Sequence, residues 1–201
     1  ISTSNQYIVN PTIHQNGSDS PTLRSHLEQL HQRLEGLVAK DWTPAVTLDA
    51  GYGSEENYAL VEDQGMKGYM KYPTWYQEHS GQLKKKKYRR ENWLYNEQED
   101  CFICPAAKPL HFLEQKEVQS KNGYLRTLRI YEAKHCTGCP HFEDCRGPKA
   151  KPNTNRRVQI SRQLEAYKEK AKALLDTEKG RQKRAQRSVD VETPFGDIKY
   201  N

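Results

Sequence analysis

Leu23, Leu27, Leu30, Leu34 and Leu37 recur at helical spacing, an apolar stripe that predicts a core-facing helix with Pro21 in its first turn. Before it, Tyr7-Ile8-Val9 and Ile13 read as a strand, and Asn16-Gly17-Ser18-Asp19 as the turn between them. After it, the short β-branched run Val46-Thr47-Leu48 reads as a strand that delivers Asp49 to its end. Gly51 and Gly53 then loosen a turn, and Ser54-Glu55-Glu56-Asn57 opens a polar helix that ends near Gly65. Lys67 to Tyr72 is a further strand, so residues 1–72 follow the strand–helix alternation of an α/β sheet.

From Pro73 the rhythm changes. Trp93-Leu94-Tyr95, Cys101-Phe102-Ile103-Cys104 and Tyr124 to Tyr131 are short β-type runs separated by polar stretches, which predicts a small β-rich insertion over residues 73–155. Past a basic linker, Lys149 to Arg157, the residues Ile160, Leu164, Tyr167, Ala171, Leu174 and Leu175 return to helical spacing, with Gly180 as the stop. In the last stretch, Val191, Phe195 and Ile198 share one helical face. Glu192 and Lys199 lie two turns apart on a neighbouring face, and Pro194 requires that helix to begin near Glu192 or to kink.

Composition narrows the picture. Hydrophobic residues make up 34% of the 201 and charged ones 29%, so the core is lean and long polar connections are expected. No run is long and apolar enough to span a membrane. The first residues lack a charged start and an apolar stretch, so no secretory signal is expected; with Ile1 in place of Met, a fragment is expected, and the protein reads as cytoplasmic. Thirty-two Lys and Arg against 26 acids give +6, a balance that suits a polyanionic partner and equally a merely soluble protein.

Three groups of residues carry candidate chemistry. Asp49 either presents its carboxylate at the carboxyl edge of a sheet, where ligands gather, or caps the helix that follows. Lys84-Lys85-Lys86-Lys87-Tyr88-Arg89-Arg90 puts six positive charges in seven residues. It is a mobile solvated loop or a grip for phosphates, with Trp75, Tyr76 and Trp93 nearby to stack on bases. All five cysteines lie in the insertion, as Cys101-x2-Cys104 and Cys136-x2-Cys139-x5-Cys145. In a reducing compartment such knuckles hold a tetrahedral structural zinc, and the preferred ligands are Cys104, Cys136, Cys139 and Cys145, with Cys101 spare and His135 and His141 adjacent. The alternatives are unligated thiols or a redox pair at Cys136 and Cys139.

Taken in order, these residues resemble the insertion-sequence DDE transposases that carry a β-rich insertion inside an RNase H-like core. Asp49-Ala50-Gly51-Tyr52-Gly53-Ser54-Glu55-Glu56-Asn57-Tyr58 is similar to the segment with that family's second catalytic Asp. Val191-Glu192 with Phe195-Gly196 and Lys199 is similar to the segment with its catalytic Glu, and Cys104-Pro105 with Cys136, Cys139 and Cys145 to its cysteine pattern. The resemblance implies a core built from 1–72 and 156–201, with Asp49 and Glu192 as ligands of two Mg²⁺ or Mn²⁺ ions roughly 4 Å apart for hydrolysis and strand transfer. It also implies that Arg187 and Lys199 contact DNA phosphates beside the site, and that the DNA consists of transposon ends and target; from the basic run, Lys85, Lys86 and Arg89 are the expected phosphate contacts. A homodimer on DNA ends, at the nucleoid in the cytoplasm, is implied as well.

Two features depart from the family. Its first catalytic Asp has no counterpart, since Asp19 sits in the wrong place, so the fragment is expected to be inactive alone. Arg184 stands where a Tyr is expected, and Arg187 precedes Glu192 by one residue more than is usual. The rival function is a non-catalytic, zinc-containing nucleic-acid binder, which would have no need for Asp49 and Glu192 to converge.

Overall fold

The computed structural model describes residues 8–38 and 44–200, the last ten of these by their helical backbone alone. The described chain is a mixed α/β protein that divides into two compact units, one of residues 1–73 with 166–201 and one of residues 74–165.

In the first unit, residues 8–16 form no strand, contrary to the pattern of Ile8, Val9 and Ile13, and Tyr7 lies outside the described residues. Ile13 is 98% exposed, so apolar side chains here gain nothing from a sheet. The segment is held instead by polar contacts to the first helix: Thr12 Oγ1 lies 2.9 Å from His26 Nδ1, and Asn10 Nδ2 donates to the His26 carbonyl at 3.2 Å. That helix, α1 (Leu23–Leu34), buries Leu23 and Leu27, while Leu37 lies beyond its end and is exposed.

Strand β1 (Ala45–Leu48) ends one residue before Asp49, and α2 (Glu55–Asp63) leads to β2 (Lys67–Met70), which pairs parallel with β1 from Ala45↔Lys67 to Leu48↔Met70. Two parallel strands joined by a helix need that helix on one sheet face. Leu60, Val61 and Met66 pack there with Leu23 and Leu27. Gly68 permits the close approach, because a Cβ on it would stand 2.8 Å from Val61 Cγ1.

The second unit starts with α3 (Trp75–His79) and continues into a five-stranded antiparallel sheet that curls around its own core. Its strands are β3 (Leu94–Asn96), β4 (Cys101–Ile103), β5 (Pro109–Gln119), β6 (Leu125–Ala133) and β7 (Arg157–Ile160), in sequence order. The short α4 (Phe142–Arg146) sits in the β6–β7 connection. Trp93, Phe102, Leu110, Tyr131, Ala133, Val158 and Ile160 form the core. Trp93 and Trp75 are therefore core residues rather than platforms for bases, and only Tyr76 of the three aromatics is exposed. Trp75 stacks on His79 at 3.9 Å between ring centroids.

Ile160 belongs to β7, and the helix that follows, α5 (Arg162–Leu175), returns the chain to the first unit, where Tyr167, Ala171 and Leu175 are buried. Tyr167 stacks on Tyr58 at 5.6 Å, and Lys170 bonds Glu62 at 2.6 Å. The next helix, α6 (Glu178–Tyr200), begins before Gly180 instead of after it and runs through Pro194. It packs against β1 and β2.

Candidate active site and cysteine cavity

Asp49 sits where β1 ends, in extended backbone, and its Oδ1 accepts the Gly51 amide at 2.9 Å. The carboxylate thus caps the 3₁₀ turn Ala50–Tyr52, while Ser54 caps α2 by accepting from the Asn57 amide at 3.3 Å. Gly53 is required by close packing, since a Cβ there would lie 2.5 Å from the Lys71 carbonyl oxygen. Asn57, buried, donates its side-chain amide to the Ser20 and Tyr52 carbonyls, each at 2.9 Å. One side chain therefore ties the Asp49 turn to the turn that carries Asp19.

Asp19 is the residue sequence reasoning set aside. Its Oδ2 and Asp49 Oδ1 lie 3.2 and 3.1 Å from the position a Cβ on Gly51 would take, so the two carboxylates flank one glycine. Burial, together with the negative charges of Asp19 and Asp49, raises the Tyr52 hydroxyl above its ordinary pKa, against the opposing pull of Thr22 and Arg187. Only the fold brings Asp19 and Asp49, thirty residues apart, to the same place.

The remaining oxygen of Asp49 is taken by α6: Arg187 Nη2 lies 3.1 Å from Asp49 Oδ2, with both side chains partly exposed. Glu192 follows five residues later in the same helix, about 7.5 Å further along its axis. The side chains of Glu192 and Lys199, and the face shared by Val191, Phe195 and Ile198, lie outside the described residues.

In the basic run, Lys86 bonds Gln77 Oε1 at 2.8 Å, Arg89 pairs with Glu91 at 3.1 Å and Arg90 with Glu165 at 3.1 Å. Lys84 and Lys85 are exposed. The run is a chain of tight turns, not a free loop, because Asn92 Nδ2 bridges the carbonyls of Leu83 (2.6 Å) and Lys86 (2.9 Å).

Cys104, Cys136, Cys139 and Cys145 all line one cavity of about 30 Å³, with His141 and Tyr88 at its wall. Cys101 is apart from it, fully buried in β4 with its thiol 3.8 Å from Glu99, and burial raises its pKa. Each knuckle is a tight turn: the Cys139 amide donates to the Cys136 carbonyl at 3.1 Å, and the Ala107 amide to the Cys104 carbonyl at 2.8 Å. Gly138 and Ala107 take left-handed backbone at φ of 71° and 56°. Cys136 Sγ accepts the Arg156 amide at 3.3 Å, the orienting bond a metal-bound thiolate uses. Burial, then the neighbouring Cys104 and Cys136, raise Cys145. Among the described residues no three His, Cys, Asp or Glu side chains are grouped tightly enough to hold a metal as they stand. Four thiols lining one cavity are the donor chemistry a structural zinc takes, but their placement is not that of a bound ion.

An α/β unit that presents a carboxylate at a strand end, beside a helix bearing basic residues, joins a β-rich unit with a cysteine cavity. Residues 103–201 match the family model described as Transposase DDE domain, which supports a fragment of an insertion-sequence DDE transposase. That family acts on DNA and generally uses divalent metal ions. No curated protein and no solved structure matches the chain. Among the described residues no helix is long and apolar enough to cross a membrane.

Proposed function

We propose that the first unit is part of an RNase H-like catalytic core, interrupted by the β-rich unit as an insertion, in which Asp49 and Glu192 hold the metal ions for DNA cleavage and strand transfer. What supports this reading is the Arg187–Asp49 ion pair, which holds α6 at Arg187 to the end of β1, with Glu192 five residues further along the same helix. Bound Mg²⁺ or Mn²⁺ would activate the attacking water or 3′-hydroxyl and stabilise the leaving oxygen.

Asp49 contributes a hard oxygen already oriented by the Gly51 amide. Arg187 neutralises the other oxygen, and with a cation bound there its guanidinium would be available to a DNA phosphate. Lys199, Lys85, Lys86 and Arg89 contact further phosphates, of which Lys85 needs to break no bond to do so. With only two of the family's three carboxylates matched, the 201-residue polypeptide alone is expected not to cut DNA. Asp19, beside Asp49, is the first residue to mutate if it does. The working form is a homodimer on transposon ends at the nucleoid.

Cys104, Cys136, Cys139 and Cys145 would hold a structural zinc, tying the β6–β7 connection to the Cys104 turn. Protein purified under reducing conditions should carry about one zinc per chain. Cys139→Ser should lower that content, and a stoichiometry unchanged in every single cysteine variant would remove this ligand set.

Calorimetric titration of the chain with Mn²⁺ tests the active-site reading without requiring activity. Binding should weaken at least about tenfold in both Asp49→Asn and Glu192→Gln, since each removes one charged ligand. Equal Mn²⁺ affinity in wild type and both variants would rule out the site and leave the non-catalytic zinc-containing binder as the better reading.

A further inference from the structure

The basic run and the cysteine cavity of the second unit are joined by direct contacts. The Tyr88 hydroxyl lies 3.2 Å from His141 Nδ1 and donates to Asp144 Oδ2 at 3.1 Å. Both partners belong to the segment that leads from Cys139 to Cys145, His141 immediately before α4 and Asp144 within it. On the other side, Trp93 Nε1 donates to the Lys87 carbonyl at 3.1 Å. The Arg156 guanidinium lies 5.6 Å from the Trp93 ring, and the Arg156 amide bonds Cys136 Sγ. Two routes thus run from the cysteines to the turns displaying Lys84 and Lys85. A cation at the cavity would draw Cys136, Cys139 and Cys145 together and hold both routes in place.

We propose that the cysteine cavity gates DNA binding: zinc held there fixes Tyr88 and the turns of residues 83–92, and the protein grips the phosphate backbone of duplex DNA through Lys84 and Lys85 only in the zinc-loaded state. The proposal rests on the zinc reading above. The geometry favours phosphates over base edges, because two neighbouring flexible ammonium groups on a turn recognise charge and not sequence. Ordering matters because a basic segment held in one conformation binds without first losing its own conformational freedom.

The test uses the full chain, zinc-loaded or stripped by a chelator under reducing conditions, with binding to a fluorescent DNA duplex followed by anisotropy from 50 to 200 mM salt. Stripping should weaken binding about tenfold at the lowest salt and flatten the log–log salt dependence by close to two, as expected when Lys84 and Lys85 each cease to neutralise a phosphate. Tyr88→Phe should retain its zinc by metal analysis and still lose affinity several-fold. Asp144→Ala, which removes the acceptor at an exposed position, carries the same expectation should Tyr88→Phe misfold by circular dichroism. Equal affinity and slope for loaded and stripped protein overturn the proposal, as do zinc-retaining Tyr88 and Asp144 variants that bind as wild type does. A chain that takes up no zinc overturns the zinc reading itself, and the proposal with it.

Discussion

Asp100 shows how much of the second unit depends on one carboxylate. At φ 46° it sits in left-handed backbone at the β3–β4 turn, which short polar side chains tolerate better than others. It accepts from the hydroxyls of Tyr95 and Tyr131 and pairs with Arg129 and Arg162. Burial pushes its carboxyl up, but the two hydroxyls and two guanidinium groups outweigh that and hold it below its ordinary 3.8. Because the folded value is depressed, the stabilisation is present above the unfolded value and is lost as pH falls through the folded one. Thermal unfolding between pH 6 and about pH 2.5 should therefore show an acid loss of stability in wild type that is shallower in Asp100→Asn; parallel curves would contradict the network. In the first unit, Asn57→Ala strands two carbonyls that the buried amide now satisfies and should cost about 1–3 kcal/mol in chemical denaturation. A loss below about 0.5 kcal/mol would mean that Asn57 does not hold the Asp49 turn.

Elements were legible in the sequence where burial is one-sided. The leucine stripe announced α1, and Val46 to Leu48 announced β1, because each turns one apolar face to a core. The outer half of β5 is solvated, Glu114 to Glu117 being exposed, so no apolar alternation marked it. In β7 only Val158 and Ile160 are buried, and Ile160 also fits helical spacing with Leu164, so a two-residue signal was absorbed into the wrong period. Gly180 read as a helix stop, yet a Cβ there would meet the Leu174 and Leu175 carbonyl oxygens at 2.3 and 2.7 Å, so its role is the tight passage from α5 into α6. Gly53 has the same kind of role beside Lys71 and Tyr72. Gly53→Ala should therefore destabilise by about 1–3 kcal/mol, with the shift read in the denaturant midpoint. An unchanged midpoint would show that the Asp49 turn relaxes freely around the added methyl.

At the scale of the whole molecule, the sequence carried the candidate chemistry better than its assembly. Asp49, the cysteine knuckles and the basic run could be named because each is local in sequence. The Asp19–Gly51–Asp49 grouping, the Arg187–Asp49 pair and the Tyr88 link to α4 span up to 138 residues, and no local pattern encodes them. The central proposal is likewise long-range: that Asp49 and Glu192, far apart in the chain, serve one metal site. The most direct measurement is a crystal structure of the chain loaded with Mn²⁺, with the ions located by anomalous scattering. Asp49 and Glu192 should ligate the same ion or two ions about 4 Å apart. Carboxylates ordered more than about 10 Å from each other, with no manganese on Asp49, would contradict the account.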